Sequence, residues 1–180
     1  MFTGNHKNPF KLLKEMDERS RLSATEAVFH EQADNAWRGI GFLVDGQRLI
    51  APMGEVEEVI PVPACTKLPG VKPWLNGVAN VRGRLLSVVD LGAFFGEQSA
   101  ISSHKRRVLI IKFGDVYTGV IVREVLGLHS FREGMSREGV EIGARFKPYV
   151  EGKFEVDNES WTVFSLFKLV QASAFLQVAL

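Results

Sequence analysis

The residues able to do chemistry in this chain are few and widely spaced. Its four histidines, His6, His30, His104 and His129, have no second ligand at metal-binding spacing, so no zinc or other metal site is expected. The single cysteine, Cys65, lies in a proline-bounded loop with no basic neighbour nearer than Lys67. A low-pKa thiolate nucleophile needs a close cation or a helix start, so Cys65 reads as structural. Glu57 and Glu58 are adjacent in an extended stretch and point to opposite faces, which suits no paired acid–base mechanism. Phosphate-binding loops, dinucleotide fingerprints and nucleophile elbows do not occur. No catalytic residue and no cofactor is therefore expected. What remains is recognition chemistry: Asn80 and Arg82 in the run Asn80-Val81-Arg82-Gly83, and the basic cluster His104-Lys105-Arg106-Arg107.

Alternation along a strand puts Val78, Asn80 and Arg82 on one side and Ala79 and Val81 on the other. An asparagine and an arginine are thus displayed together at a hairpin tip, and arginine is frequent among the residues that carry binding energy at interfaces. The basic cluster suggests a second reading, a small barrel that binds single-stranded nucleic acid through Lys105, Arg106 and Arg107. Such barrels need a basic groove with stacking aromatics. Here the charges do not extend into a stripe, and the formal net charge is only +1.

The elements that would hold these residues come in two copies. Pro73-Trp74-Leu75-Asn76-Gly77 returns as Pro148-Tyr149-Val150-Glu151-Gly152, 75 residues on. Each copy leads through a short strand, a turn and a return strand to a residue that can cap a helix, Asp90 or Ser165, again 75 apart. The first copy turns at Arg82-Gly83 and the second at Asp157-Asn158. Glu155 and Asp157, the second-copy positions equivalent to Asn80 and Arg82, are acidic, so the two copies have diverged in surface chemistry. Upstream, Ile40, Phe42 and Val44 alternate up to Asp45-Gly46, a strong hairpin signal. Gln47 to Ala51 return, and Glu55 to Ile60 form a further strand. The second copy matches with Val108 to Phe113, a turn at Gly114-Asp115, Tyr117 to Val122, and then Val122-Arg123-Glu124-Val125 against Val56-Glu57-Glu58-Val59. About five short strands per copy suit a small closed barrel, in which closure removes aggregation-prone edges.

Residues 1–36 differ in pattern: Asn8-Pro9 starts a helix whose Phe10, Leu13 and Met16 share a face. The expected division is a helical extension over 1–36 and a paired-barrel region over 37–180, with units of about 37–104 and 105–180. Leu166 to Phe175 is expected as a terminal helix and 132–146 as an irregular loop. Apolar residues at 46% and charged residues at 24% describe an ordinary globular protein. With one cysteine, no bilayer-spanning run and a polar start, a cytoplasmic location without membrane insertion is expected.

Leu75-Asn76-Gly77-Val78-Ala79-Asn80-Val81-Arg82-Gly83, followed by Val88-Val89-Asp90-Leu91, resembles the signature of the CheW-like chemotaxis adaptors, G-x-x-N-x-R-G and then V-x-D-L. Val56-Glu57-Glu58-Val59 is similar to that family's first V-x-E-V strand, and the resemblance runs from about Trp37 to Val170. Within the family, the extended amino-terminal arm is most similar to the adaptors of type IV pilus twitching motility. The resemblance implies a mainly β fold of two SH3-like five-stranded barrels. It implies a non-catalytic scaffold that joins a methyl-accepting chemoreceptor to a histidine kinase whose regulatory domain is CheW-like, recruited to membrane-associated receptor arrays. By the same resemblance, Arg82, Asn80, Val56 and Glu58 are the receptor-contact candidates. Ser87, where many members have proline, and Gly92, where arginine is frequent, depart from the family pattern.

Overall fold

The computed structural model describes residues 36–97, 103–132, 134–156 and 159–180. The expected amino-terminal helix and the Asp157-Asn158 turn lie outside them. Among the described residues, ten strands form two five-stranded sheets. Sheet A runs in the order β8 (Glu124–Phe131), β1 (Trp37–Val44), β2 (Gln47–Pro52), β10 (Glu159–Phe164), β9 (Val150–Val156). Sheet B runs β3 (Glu58–Pro61), β6 (Arg107–Phe113), β7 (Val116–Val122), β5 (Arg84–Asp90), β4 (Leu75–Val81). The expected mainly β, two-barrel fold is thus observed.

Each sheet draws on both copies of the repeat. Four pairings cross between the copies: two parallel, with Ser87 of β5 opposite Thr118 of β7 and Thr162 of β10 opposite Leu49 of β2, and two antiparallel, β1 with β8 and β3 with β6. A boundary near 104 divides the copies in sequence, while in space their strands interleave. Ser87 uses its departure from proline here. Its hydroxyl donates to Thr118 Oγ1 at 2.9 Å, and the buried Thr118 hydroxyl donates to the Ser87 carbonyl at 3.1 Å.

Both faces of the central strands are buried, which explains why Val108-Leu109-Ile110-Ile111 is continuously apolar rather than alternating. Val108 and Ile110 point into sheet B's own interior with Ala79, Leu86, Val88 and Ile121. Leu109 and Ile111 point the other way, into the larger core shared with Phe42, Leu49 and Phe164 of sheet A. Sheet A curls about a third cluster, Ile50, Phe131, Phe154, Trp161 and Val163.

The repeated phrase has a physical basis in both copies. Trp74 and Tyr149 each offer a carbonyl to the N–H of the capping residue, Asp90 at 2.7 Å and Ser165 at 2.8 Å. The cap side chains then accept from the third residue of each helix, Ala93 N–H at 3.1 Å and Lys168 N–H at 3.2 Å. The glycines admit a crossing loop: Thr66 pairs with Val78, and Ser136 with Lys153, through two backbone bonds each. A Cβ on Gly77 would sit 2.2 Å from the Thr66 carbonyl oxygen, and one on Gly152 would sit 2.5 Å from that of Ser136.

Two local expectations are corrected. Glu55 to Ile60 is not one strand: Met53–Glu55 form a 3-10 turn and the strand begins at Glu58. The terminal helix breaks at Ala172 into α2 (Leu166–Gln171) and α3 (Ser173–Leu176), α1 being Leu91–Phe94. Ala172 is extended at φ −68°, ψ 132°, and the bend carries Phe175 onto Trp74, with ring centroids 6.0 Å apart.

The turn at Met53–Glu55 delivers Glu55 to the start of α2. Its carboxylate accepts from Leu166 N–H at 2.5 Å, Phe167 N–H at 3.2 Å and the Ser165 hydroxyl at 2.8 Å. The two backbone N–H groups are donors a helix start otherwise leaves unpaired. Burial pushes the Glu55 pKa above the ordinary 4.5, with a smaller push from Glu151, against the lowering effect of the three hydrogen bonds. A carboxyl with a raised folded pKa binds more protons folded than unfolded. Its contribution is therefore complete below 4.5 and declines as pH rises through the raised value. Relative to the parent, Glu55→Gln should gain stability between acid and neutral pH, measured as paired melting curves. A constant difference across that window would refute the assignment.

Candidate functional site

Among the described residues, the histidines and the cysteine build no metal site. His129 packs on Trp161 with centroids 4.1 Å apart. Cys65 donates only to the Pro63 carbonyl, at 3.4 Å. Among the described residues, no group of three or more His, Cys, Asp or Glu side chains could hold a metal.

The cations of the basic cluster are engaged by neighbouring groups at the surface. Lys105 pairs with Glu124 at 3.2 Å, Arg106 with Asp90, and Arg107 donates to the carbonyls of His104 and Arg106 at 2.8 Å each. A phosphate backbone would have to compete with all of these partners. Gly92, the other departure from the family pattern, has a local role as well. A Cβ there would lie 2.4 Å from Glu97 Oε2, the oxygen that accepts from Asp45 N–H at 3.2 Å in the hairpin turn of sheet A.

The surface that stands apart is an open groove of ≈ 340 Å³ where β3 of sheet B approaches β8 of sheet A. The 3-10 turn supplies Met53, the link after it Val56 and Glu57, and β3 Glu58 and Val59; β8 supplies Val125, Gly127 and Leu128, and β1 supplies Ile40. Both copies of the V-x-E-V motif therefore contribute, with Val59 and Val125 at matching positions. β3 pairs only with β6 and β8 only with β1, so each is the outer strand of its sheet. Several apolar groups there meet solvent: Leu128 is 67% exposed, Met53 47% and Val59 37%. An apolar cluster held at the surface by paired strands is the kind of patch that interaction sites use, which makes this groove the candidate site.

Of the four candidate residues, Val56 and Glu58 line the groove. Arg82 is brought to Glu58 by an ion pair of 2.5 Å, although the two lie 24 residues apart in sequence. Its side chain remains 77% exposed and its backbone is left-handed at φ 53°, in a tight turn completed by Gly83. Asn80 has a different task. Its Oδ1 accepts from Gly83 N–H at 2.9 Å, so it holds the turn that presents Arg82. Sequence reasoning missed Ile40, Met53, Val125 and Leu128. Val125 was available from the motif match, whereas the exposure of Leu128 was not, because it sits in an apolar run that reads as core.

The described strands thus form two interleaved barrels with a solvent-facing apolar groove where their outer strands approach. The chain belongs to the CheW-like domain family, whose pattern matches residues 38–174. It is similar to Protein PilI of Pseudomonas aeruginosa, 42% identical over 172 residues, which covers 95% of this chain and 96% of that protein. Chemotaxis protein CheW of Bacillus subtilis is 30% identical over 105 residues, covering 57% of this chain and 67% of that one. In three dimensions it resembles the scaffolding protein TtCheW from Thermoanaerobacter tengcongensis, with a TM-score of 0.67 and 22% identity over 77% of this chain and 95% of the other. No helix among the described residues is long and apolar enough to cross a membrane.

Proposed function

We propose that this protein is a non-catalytic signalling adaptor that couples a methyl-accepting chemoreceptor to a histidine kinase with a CheW-like regulatory domain. The pathway is chemotaxis-like and controls twitching by type IV pili. The observation that carries the coupling role is the groove, with apolar walls and the Arg82–Glu58 pair at its edge. The pilus assignment rests on similarity to PilI along nearly the whole of both chains. Residues 37–180 act as the adaptor domain and 1–36 as an extension, in the cytoplasm beside membrane-borne receptor arrays. A helical receptor tip lays its apolar stripe against Val56 and its neighbours. Arg82 and Glu58 hold it in register, with Asn80 fixing the turn beneath Arg82. The barrel surfaces away from the groove are left for the kinase, and many modest contacts reinforce one another in an array.

Tagged protein drawn from its own host should bring down a large histidine kinase and a methyl-accepting receptor. Arg82→Glu should then weaken receptor association by about 2 kcal/mol or more, the scale of an interface hot spot. The fold should survive, since an exposed ion pair contributes roughly 0–1 kcal/mol to stability. Receptor recovery equal to the parent's, with folded mutant protein, would remove Arg82 from the interface.

The nucleic-acid reading is not favoured, because Lys105, Arg106 and Arg107 are engaged within the fold.

A further inference from the structure

Two glutamates line the groove, and only one of them has a counter-charge. Glu58 is paired with Arg82, whereas among the described residues no cation lies within ion-pair distance of Glu57. The backbone of Glu57 is fixed by donating its N–H to the Ile110 carbonyl at 2.8 Å, so the side chain projects from a rigid position. Val59, two residues on, is exposed beside it, and Leu128 and Met53 complete the apolar surface.

Resting on the groove reading above, we propose that the segment which docks here is an amphipathic helix carrying a lysine or arginine aimed at Glu57, next to an apolar stripe that covers Leu128 and Val59. The physical reason is desolvation. A helix covering the apolar wall strips water from the Glu57 carboxylate, and an ion losing water without a partner charge opposes binding. A long basic side chain can cover apolar surface with its stem and reach the carboxylate with its head. An acidic residue at the same place would be repelled, so Glu57 also selects against wrong partners. Glu58 cannot do this, because Arg82 already answers its charge.

The test measures binding of the soluble cytoplasmic hairpin tip of a methyl-accepting receptor from the same host, by calorimetric titration, to four forms of the full chain. These are the parent, Leu128→Asp, Glu57→Gln and Glu57→Lys. All the altered side chains are solvent-facing, and melting curves check that each protein is folded. Leu128→Asp reports on the groove alone. The expected result is loss of binding for Leu128→Asp, about threefold weakening for Glu57→Gln and about tenfold for Glu57→Lys. Added salt should weaken the parent more than Glu57→Gln, since the charge pair is screened. Loss with Leu128→Asp but parent-like affinity for both Glu57 variants would overturn the charge inference and leave the groove standing. Undiminished binding by Leu128→Asp, or no binding by the parent, would overturn the groove reading and this inference with it.

Discussion

Val88→Asp should yield no stably folded protein. Val88 is fully buried, facing Leu86, Val108 and Ile110 inside sheet B, and its backbone stands between Gly77 of β4 and Gly119 of β7. Losing the valine's burial costs about 2 kcal/mol. A carboxyl group with no partner there adds several kcal/mol more, whether it stays charged or takes up a proton. Domains are stable by roughly 5–15 kcal/mol, so most or all of the margin is removed. Since β5 joins both copies through its pairing with β7, the damage should spread beyond one barrel. Thermal unfolding followed by circular dichroism should show either no cooperative transition or a midpoint lowered by at least about 10 °C. A transition within a few degrees of the parent would mean that the interior of sheet B is misplaced.

Among the described glycines, Gly77→Ala is expected to be the most damaging substitution. Gly77 has φ +133°, a region open almost only to glycine, and its Cβ would lie 2.2 Å from a backbone oxygen that cannot move without breaking the Thr66–Val78 bonds. Backbone strain of about 1–3 kcal/mol and overpacking of about 1–3 kcal/mol act together at this residue. Gly83→Asn separates the two causes. Gly83 also has positive φ, 79°, but nothing lies within 4 Å of its Cβ position, and asparagine tolerates the left-handed region. That variant should lose about 1 kcal/mol or less. Denaturant titrations of both proteins decide the matter. Equal small losses would show that the Thr66 crossing imposes no constraint on Gly77.

The parts of the fold legible in the sequence were those with local causes. Asp45-Gly46 and Arg82-Gly83 both form tight turns with left-handed residues at both central positions, and Asp90 and Ser165 both cap helices. The repeat announced two similar units because its glycines and aromatics each satisfy a constraint that occurs twice. Strand exchange was not legible. The pairings of Ser87 with Thr118 and of Thr162 with Leu49 join segments far apart in the chain, and either partner would suit a strand in its own copy. Glu55 was lost for a related reason. Its donors lie 110 residues or more away, and an isolated glutamate before V-x-E-V reads as part of the strand.

The groove was legible only in outline. The motif pointed to Val56, Glu58 and Arg82, and these come together. Asn80 was grouped with Arg82 by alternation, yet its side chain turns to the backbone of Gly83. Alternation gives the face of a strand but not whether a polar side chain there meets solvent or its own turn. Leu128 and Met53 were hidden because apolar residues carry no sign in sequence that a sheet has left them uncovered.

The coupling role is tested most directly by co-sedimentation. Membranes bearing the receptor are mixed with purified kinase, with and without this protein, and the kinase in the pellet is measured. The expected result is kinase in the pellet only when the adaptor is present, with recovery falling sharply for Arg82→Glu. Equal kinase in the pellet without the adaptor, or none with it although receptor, kinase and adaptor are each folded, would contradict a coupling role for this protein.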